Sequence, residues 1–246
     1  MSTTETALLQ ATLSREAGHG LLAAPVRIVH LGIGNFTRAH QAWYTEHAPD
    51  AEQWGIAAFT GRRPDTADAL NPQDGLYTLV IGAADGDRYE VISSLSAVHP
   101  STDHAAFLDY LRSPETAIIT TTVTEAGYQR ADDGHLDVTK DIVKGDIEGL
   151  SSGDADYAPK TAPAKVVAGL RARRDAGAGA LTILPCDNLP DNGQAFRTVI
   201  RDLAQEVDPS LLDWIDQNVA FATSMVDRIT PATTDETRAQ VAKEQG

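Results

Sequence analysis

Cysteine is nearly absent from this chain of 246 residues, which contains one, Cys186. A single cysteine cannot form a disulfide within the chain, so a disulfide-stapled extracellular scaffold is excluded and a reducing compartment is expected. The same scarcity argues against a zinc site with cysteine and histidine ligands at the usual spacing. We therefore predict a protein that works without a structural or catalytic metal ion.

Long apolar runs are also missing. No segment approaches the ~18–20 apolar residues that a membrane-spanning helix requires. The first 24 residues include Glu5, Arg15, Glu16 and His19 and have no continuous apolar core, unlike a secretory signal. These absences predict a cytoplasmic protein with no membrane partner.

Positive charge is scarce, with 20 Lys and Arg against 35 Asp and Glu, for a net charge of -15. Such a surface repels a phosphate backbone, so a nucleic-acid partner is not expected. Local binding of one small anion stays possible, because a helix N-terminus can hold a phosphate without net positive charge. An apolar content of 42% is sufficient for a large core.

Strand-like and helix-like segments alternate along the chain, a pattern typical of an α/β fold. Short β-branched or apolar runs predict strands at residues 26–31, 54–59, 76–81, 88–94, 116–122 and 180–184, and a strand or extended segment at 221–229. Helical patterns occur at residues 38–48, 101–112, 164–176, 193–206 and 209–218. We expect one domain whose core covers about residues 25–231, followed by a polar tail at 232–246.

Three local features accompany these elements. The helix at 101–112 is expected to start on an N-cap formed by Ser101 or Thr102. Residues 129–163, rich in Asp, Gly and Ser, are interpreted as a surface excursion with at most short elements. The helix at 164–176 is expected to carry a polar face formed by Arg171, Arg173 and Arg174.

The strongest local signal is the glycine turn in IVHLGIGNFTRAHQ, residues 28–41. A strand that ends in Gly-x-Gly and opens into a helix brings backbone N–H groups close to a pyrophosphate. Gly32 allows the tight turn, and Gly34 lets a phosphate approach without a Cβ in its way. The full fingerprint has a third glycine where this chain has Thr37. A plain strand-to-helix turn that uses glycine only for its geometry remains an alternative.

The residues after the second predicted strand bear on the kind of dinucleotide. Asp65 could accept the ribose hydroxyls and favour NAD, whereas Arg62 or Arg63 could meet the 2′-phosphate of NADP. A solvated charged loop is the alternative interpretation. Our prediction is NAD, with NADP left open.

Three separated regions together resemble the mannitol dehydrogenase family of polyol-specific long-chain dehydrogenases. They are residues 28–45, TVTEAGY at 122–128, and the pair LPCDNLPDNG at 184–193 with SMVDRITP at 224–231. The resemblance implies a Rossmann-type doubly wound sheet and NAD(P)-dependent interconversion of a polyol or sugar acid with its keto-sugar, without a metal. It also implies a C-terminal helical substrate domain, which we expect this chain to lack.

The resemblance also assigns site residues. Those matching the dinucleotide turn are Gly32, Ile33, Gly34, Asn35 and Phe36. Asn188 matches an asparagine that holds the substrate oxygen and borders the cofactor, and Glu125 and Asp227 match positions near the nicotinamide and substrate. Two departures from the family are Thr37, where it often has His, and Ala222-Thr223, where it has Pro-Asn or a similar pair.

From the residues alone, each of these polar groups also has a structural interpretation. Asn188 could be an ordinary turn residue, Glu125 could cap the turn before Gly127, and Asp227 could form an ion pair with Arg228.

In the family the catalytic base is a lysine accompanied by asparagine and histidine on one helix. The lysines of this chain match no such motif; they are Lys140, Lys144, Lys160, Lys165 and Lys243.

We therefore expect a cofactor domain that lacks its general base and turns over poorly alone, with a polyol or keto-sugar as the substrate. The missing C-terminal domain is its expected partner. The alternatives are a non-catalytic dinucleotide-binding module, a truncated and inactive fragment, or a domain for another adenine-containing ligand such as S-adenosylmethionine. The last leaves the CDNLP and MVDRITP segments unexplained.

Overall fold

A computed structural model describes residues 12–154, 157–226 and 228–245. Its strands are β1 Val26–Leu31, β2 Gly55–Phe59, β3 Tyr77–Ile81, β4 Arg88–Ile92, β5 Leu95–His99, β6 Ile118–Thr121, β7 Leu181–Pro185 and β8 Val219–Phe221. Its helices are α1 Asn35–Ala39, α2 Gln41–Glu46, α3 Asp65–Leu70, α4 His104–Arg112, α5 Asp141–Ser151, α6 Ala162–Asp175, α7 Asn192–Val207, α8 Leu211–Asn218 and α9 Asp235–Gln245.

Six strands form one sheet in the order β5-β2-β1-β6-β7-β8, and every neighbouring pair in it is parallel. Strands β3 and β4 form a separate antiparallel hairpin. The strand order reverses between β1 and β6, so the crevice at their carboxyl ends is the topological switch point where open α/β sheets bind ligands. The predicted doubly wound, Rossmann-type fold is confirmed.

Two apolar cores lie on opposite faces of the sheet, because side chains alternate along each strand. Val29 and Leu31 of β1 join the larger core, with α4, α6, α7 and α8, while Ile28 packs against the smaller one. Ile56 and Ala58 of β2 face the smaller core, which includes residues of α2, α3 and the hairpin. Burial on both faces explains why these strands are apolar runs without polar alternation.

Several elements differ from the sequence prediction. Strand β5 was not predicted, because residues 88–94 were interpreted as one strand although the chain turns at Ser93 and Ser94 into a second. The helix predicted at 38–48 is two short helices separated at His40 (φ -119°, ψ -85°). Residues 221–229 were predicted as a strand or an extended segment; the strand ends at Phe221, and residues 222–226 and 228–230 form no strand.

Two further predictions need correction. The N-cap of α4 is Asp103, whose side chain accepts a hydrogen bond from the Ala106 amide at 3.2 Å, so neither Ser101 nor Thr102 caps it. The region 129–163 is more than a surface excursion, because it contains the 11-residue helix α5. Val143 and Leu150 of this helix are buried in the larger core.

Arg173 was predicted on a polar helix face, and this is wrong. Its side chain is 1% exposed, whereas Arg171 and Arg174 are partly exposed. The guanidinium donates to five backbone carbonyls at 2.8–3.2 Å, those of Leu111, Ser113, Ala178, Gly179 and Ala180. One buried side chain thus joins the end of α4, the end of α6 and the start of β7.

Candidate functional site

The glycine turn lies at the switch point and is built for close approach. Gly32 has φ +101°, a region that favours glycine, and a Cβ added there would lie 2.7 Å from the Thr122 carbonyl oxygen. The amides of Gly32 and Ile33 both donate to the Phe59 carbonyl oxygen at 3.0 Å. The turn is therefore anchored to the ends of β2 and β6. Ile33 is buried, so it supports the turn from the core side.

The space in front of Gly34 is open. A Cβ added at Gly34 would have no neighbour closer than the Gly32 carbonyl oxygen at 3.9 Å. Helix α1 begins at Asn35, and the first amides of a helix have no acceptor within the helix. Asn35 is exposed and Phe36 half-buried. An anion placed before Gly34 would thus meet backbone donors without colliding with a side chain.

A buried polar cluster lies directly behind the turn. His30 Nδ1 is 2.7 Å from Thr120 Oγ1, and His30 Nε2 is 2.8 Å from Thr37 Oγ1. Thr37 Oγ1 is 2.9 Å from Thr122 Oγ1, which donates to the Gly32 carbonyl oxygen at 2.7 Å. Burial lowers the pKa of His30 to about 4, so this imidazole is neutral at neutral pH and serves as a hydrogen-bonding group.

The charged residues after β2 are solvent-exposed. Asp65 is the first residue of α3, and its carboxylate lies 3.3 Å from Arg63 Nε, with side chains 64% and 83% exposed. Such an exposed ion pair contributes little stability. Arg62 is also exposed. These groups lie between the carboxyl end of β2 and the start of α3.

Glu125 and Asn188 follow neighbouring strands of the sheet, as their sequence positions predict. Glu125 begins a short 3-10 turn after β6, and Asn188 follows β7; both side chains are exposed. Tyr128 Oη donates to the Asp187 carboxylate, which also accepts from the Leu189 amide at 3.0 Å. These bonds hold the loop that carries Asn188. Asp227, the third predicted polar residue, lies outside the described residues.

Sequence reasoning missed Asn192. This fully buried side chain donates from Nδ2 to the carbonyl oxygens of Pro185 and Ser224, at 3.2 and 3.1 Å. Its Oδ1 accepts from the Ser224 amide at 3.1 Å, and Ser224 Oγ donates to Pro185. Asn192 therefore joins the carboxyl ends of β7 and β8. The sequence offered one sign of its importance, its position in the motif DNLPDNG. That motif could already be explained as a turn containing Asn188, so Asn192 was not singled out.

Arg228 contacts the helices after the glycine turn. Its guanidinium carbon lies 4.2 Å from the ring centre of Trp43 and 4.8 Å from that of Tyr44. It also donates to the Ala39 carbonyl oxygen at 2.6 Å. The segment after β8 is thereby held against the junction of α1 and α2.

Residues 12–154, 157–226 and 228–245 contain no group of three or more His, Cys, Asp or Glu side chains that could hold a metal ion. Among the helices of this described part, none is long and apolar enough to cross a membrane.

Comparison with known proteins agrees with this geometry. The sequence profile of the mannitol dehydrogenase Rossmann domain matches residues 26–245. The D-mannonate oxidoreductase of Escherichia coli (strain K12) is 40% identical over 228 residues, which are 89% of this chain and 46% of that protein. The D-arabinitol 4-dehydrogenase of Ralstonia nicotianae is 40% identical over 230 residues, which are 90% of this chain and 48% of that protein.

A solved structure is similar as well. The Pseudomonas fluorescens mannitol 2-dehydrogenase, in a ternary complex with NAD and D-mannitol, superposes with a TM-score of 0.80 at 36% identity. The match covers 90% of this chain and 45% of that one, so this chain spans about half the length of the relatives it matches. With its fold, its glycine turn and these matches taken together, the chain belongs to the mannitol dehydrogenase family, whose Rossmann domain it contains.

Proposed function

We propose that this chain binds NAD(H) at the glycine turn, as the cofactor half of an oxidoreductase that transfers hydride at a secondary alcohol of a polyol or sugar acid. The observation that carries the proposal is the open space before Gly34 at the switch point between β1 and β6. A diphosphate placed there would meet the first amides of α1. The NAD complex of a relative with the same fold supports this assignment.

The proposed coenzyme is NAD. Asp65 stands at the start of α3, where its carboxylate can accept the ribose hydroxyls and would repel a 2′-phosphate. The neighbouring Arg63 forms an exposed ion pair with this carboxylate. Arg62 is the residue that would accommodate NADP if the preference were reversed.

The polar residues at the ends of β6 and β7 have defined parts in this proposal. The bound nicotinamide supplies the hydride acceptor. The exposed amide of Asn188 can donate to the oxygen that develops negative charge, an interaction worth ~3 kcal/mol when preorganised. Glu125 can exchange a proton between that region and water. We also propose a part for Asp227 in this reaction, on the strength of the family resemblance.

The general base is not among the lysines of this chain, in our proposal. The Lys165 ammonium donates to the Ser101 carbonyl oxygen at 2.6 Å. Lys140 and Lys144 lie 3.9 and 3.7 Å from the carboxylates of Asp137 and Asp141. A site without its base loses about 10²–10⁴-fold in rate. The 246 residues by themselves should therefore bind coenzyme but oxidise a polyol very slowly.

Titration of the purified chain with NADH and NADPH tests this proposal. We expect a saturable change in NADH fluorescence, weaker binding of NADPH, and negligible NAD reduction with mannitol, arabinitol, mannonate or altronate. Absence of NADH binding would contradict the proposed function. Rapid oxidation of any of these substrates would leave the proposed coenzyme binding intact and contradict only the proposal that this chain lacks its general base.

A further inference from the structure

Thr37 occupies the position of the third glycine in the dinucleotide fingerprint, yet it does not behave as a glycine substitute. In the fingerprint that glycine allows the helix to pack closely on the strand. Here the threonine side chain is fully buried, and its hydroxyl contacts His30 on β1 and Thr122 just after β6. Helix α1 is thus joined to the sheet by side-chain hydrogen bonds at the position where the fingerprint has a glycine, which has no side chain.

The hydrogen bonds of this cluster can be given one consistent direction. Thr122 uses its only hydroxyl proton on the Gly32 carbonyl oxygen, so it accepts from Thr37. Thr37 then accepts from His30 Nε2–H, which also lies 3.1 Å from Thr122 Oγ1, and His30 Nδ1 accepts from Thr120. This series of hydrogen bonds ends at the carbonyl oxygen of Gly32, the residue with positive φ that makes the tight turn possible.

We propose that Thr37, together with His30 and Thr122, is a positioning residue that holds the glycine turn in its coenzyme-binding shape. The inference rests on the proposed function and extends it to residues behind the turn. The amides of Gly32 and Ile33 hold one side of the turn on Phe59, and the Thr122 hydroxyl, bonded to the Gly32 carbonyl oxygen, adds a restraint on the other side. None of the three side chains needs to touch the coenzyme.

The consequence is a dependence of affinity on a buried hydroxyl. Without the Thr37 hydroxyl, Thr122 Oγ1 loses a donor and His30 Nε2 keeps only its longer contact with Thr122 Oγ1, at 3.1 Å, which favours rearrangement of the turn. A turn that must be ordered when the ligand binds gives weaker affinity than one that is ordered beforehand. The affinity of the folded protein for NADH should therefore fall along with its stability.

Four variants test the proposal by NADH titration and thermal unfolding. Thr37→Val keeps the shape and removes the hydroxyl, and we expect the Kd for NADH to rise about tenfold. Thr37→Ser keeps the hydroxyl and should stay near the wild-type Kd. Thr37→Gly restores the fingerprint residue, but we expect it also to bind more weakly. The matched control is Ser94→Ala, which removes another buried hydroxyl, bonded to the Ala42 carbonyl oxygen at 2.8 Å.

The outcomes separate positioning from mere stability. If Thr37→Val lowers the melting temperature as Ser94→Ala does, but the Kd of the folded protein is unchanged, the positioning role is overturned. If Thr37→Val does not fold, Thr37→Gly decides: a wild-type or tighter Kd overturns the proposal, and a weaker one supports it. Wild-type protein that binds no NADH would overturn the proposed function and this inference together, whereas wild-type binding with unaffected Thr37 variants overturns this inference alone.

Discussion

Gly34→Val is expected to abolish measurable NADH binding while the protein stays folded, with Kd raised more than about a hundredfold. The space before Gly34 is open, since a Cβ added there would have no neighbour closer than the Gly32 carbonyl oxygen at 3.9 Å, so we expect the fold to tolerate the valine. The same space is where the diphosphate is proposed to approach the amides of α1. NADH titration and thermal unfolding of the variant measure the two effects separately.

Two other glycines provide the controls. Gly145→Val adds the same side chain to α5, where a Cβ also meets nothing within 4 Å, and it should bind NADH normally. Gly32→Val should instead destabilise the fold, because Gly32 has φ +101° and its Cβ would lie 2.7 Å from the Thr122 carbonyl oxygen. If Gly34→Val binds NADH like the wild type, the diphosphate is held elsewhere.

The second large effect is on stability. Arg173→Met should lower the free energy of unfolding by about 3–5 kcal/mol, because several buried carbonyl acceptors lose their donor together. The five carbonyls concerned lie at the end of α4 and in the loop between α6 and β7, which this side chain joins. Urea unfolding followed by circular dichroism measures the change.

A neighbouring arginine is the matched control for this prediction. Arg171 lies on the same helix, is partly exposed, and donates to the Leu150 carbonyl oxygen at 3.0 Å. Arg171→Met should cost less than about 1 kcal/mol, the usual net worth of one hydrogen bond. If both variants lowered the free energy of unfolding equally, the hydrogen bonds of Arg173 would contribute no more stability than the single bond of Arg171, which would contradict this prediction.

The alternation of strands and helices could be predicted because it depends on local pattern. The apolar run before Gly32 and the buried-type run at residues 116–122 correspond to β1 and β6, the two strands that flank the switch point. The break between β4 and β5 at Ser93 and Ser94 could not be predicted from the sequence, because tertiary contacts fix it. Ser93 donates a hydrogen bond to Glu46, and Ser94 donates one to the Ala42 carbonyl oxygen.

Among the candidate site residues, some positions could be predicted from local sequence and others depend on tertiary contacts. Glu125 and Asn188 follow strands directly, so their place at the carboxyl edge was readable from the sequence. The contacts of Thr37, Asn192 and Arg173 were not, because each joins segments far apart in the chain. An arginine on a helical pattern is ordinarily exposed, and only the packing of α4 and α6 around Arg173 reverses that expectation.

A crystal structure of this chain with NADH bound tests the central claim most directly. Our account predicts the diphosphate in front of Gly34, with phosphate oxygens within hydrogen-bonding distance of amides at residues 34–37, and the Gly32 carbonyl still bonded to Thr122. NADH bound at a different edge of the sheet, or a glycine turn left empty beside bound coenzyme, would contradict it.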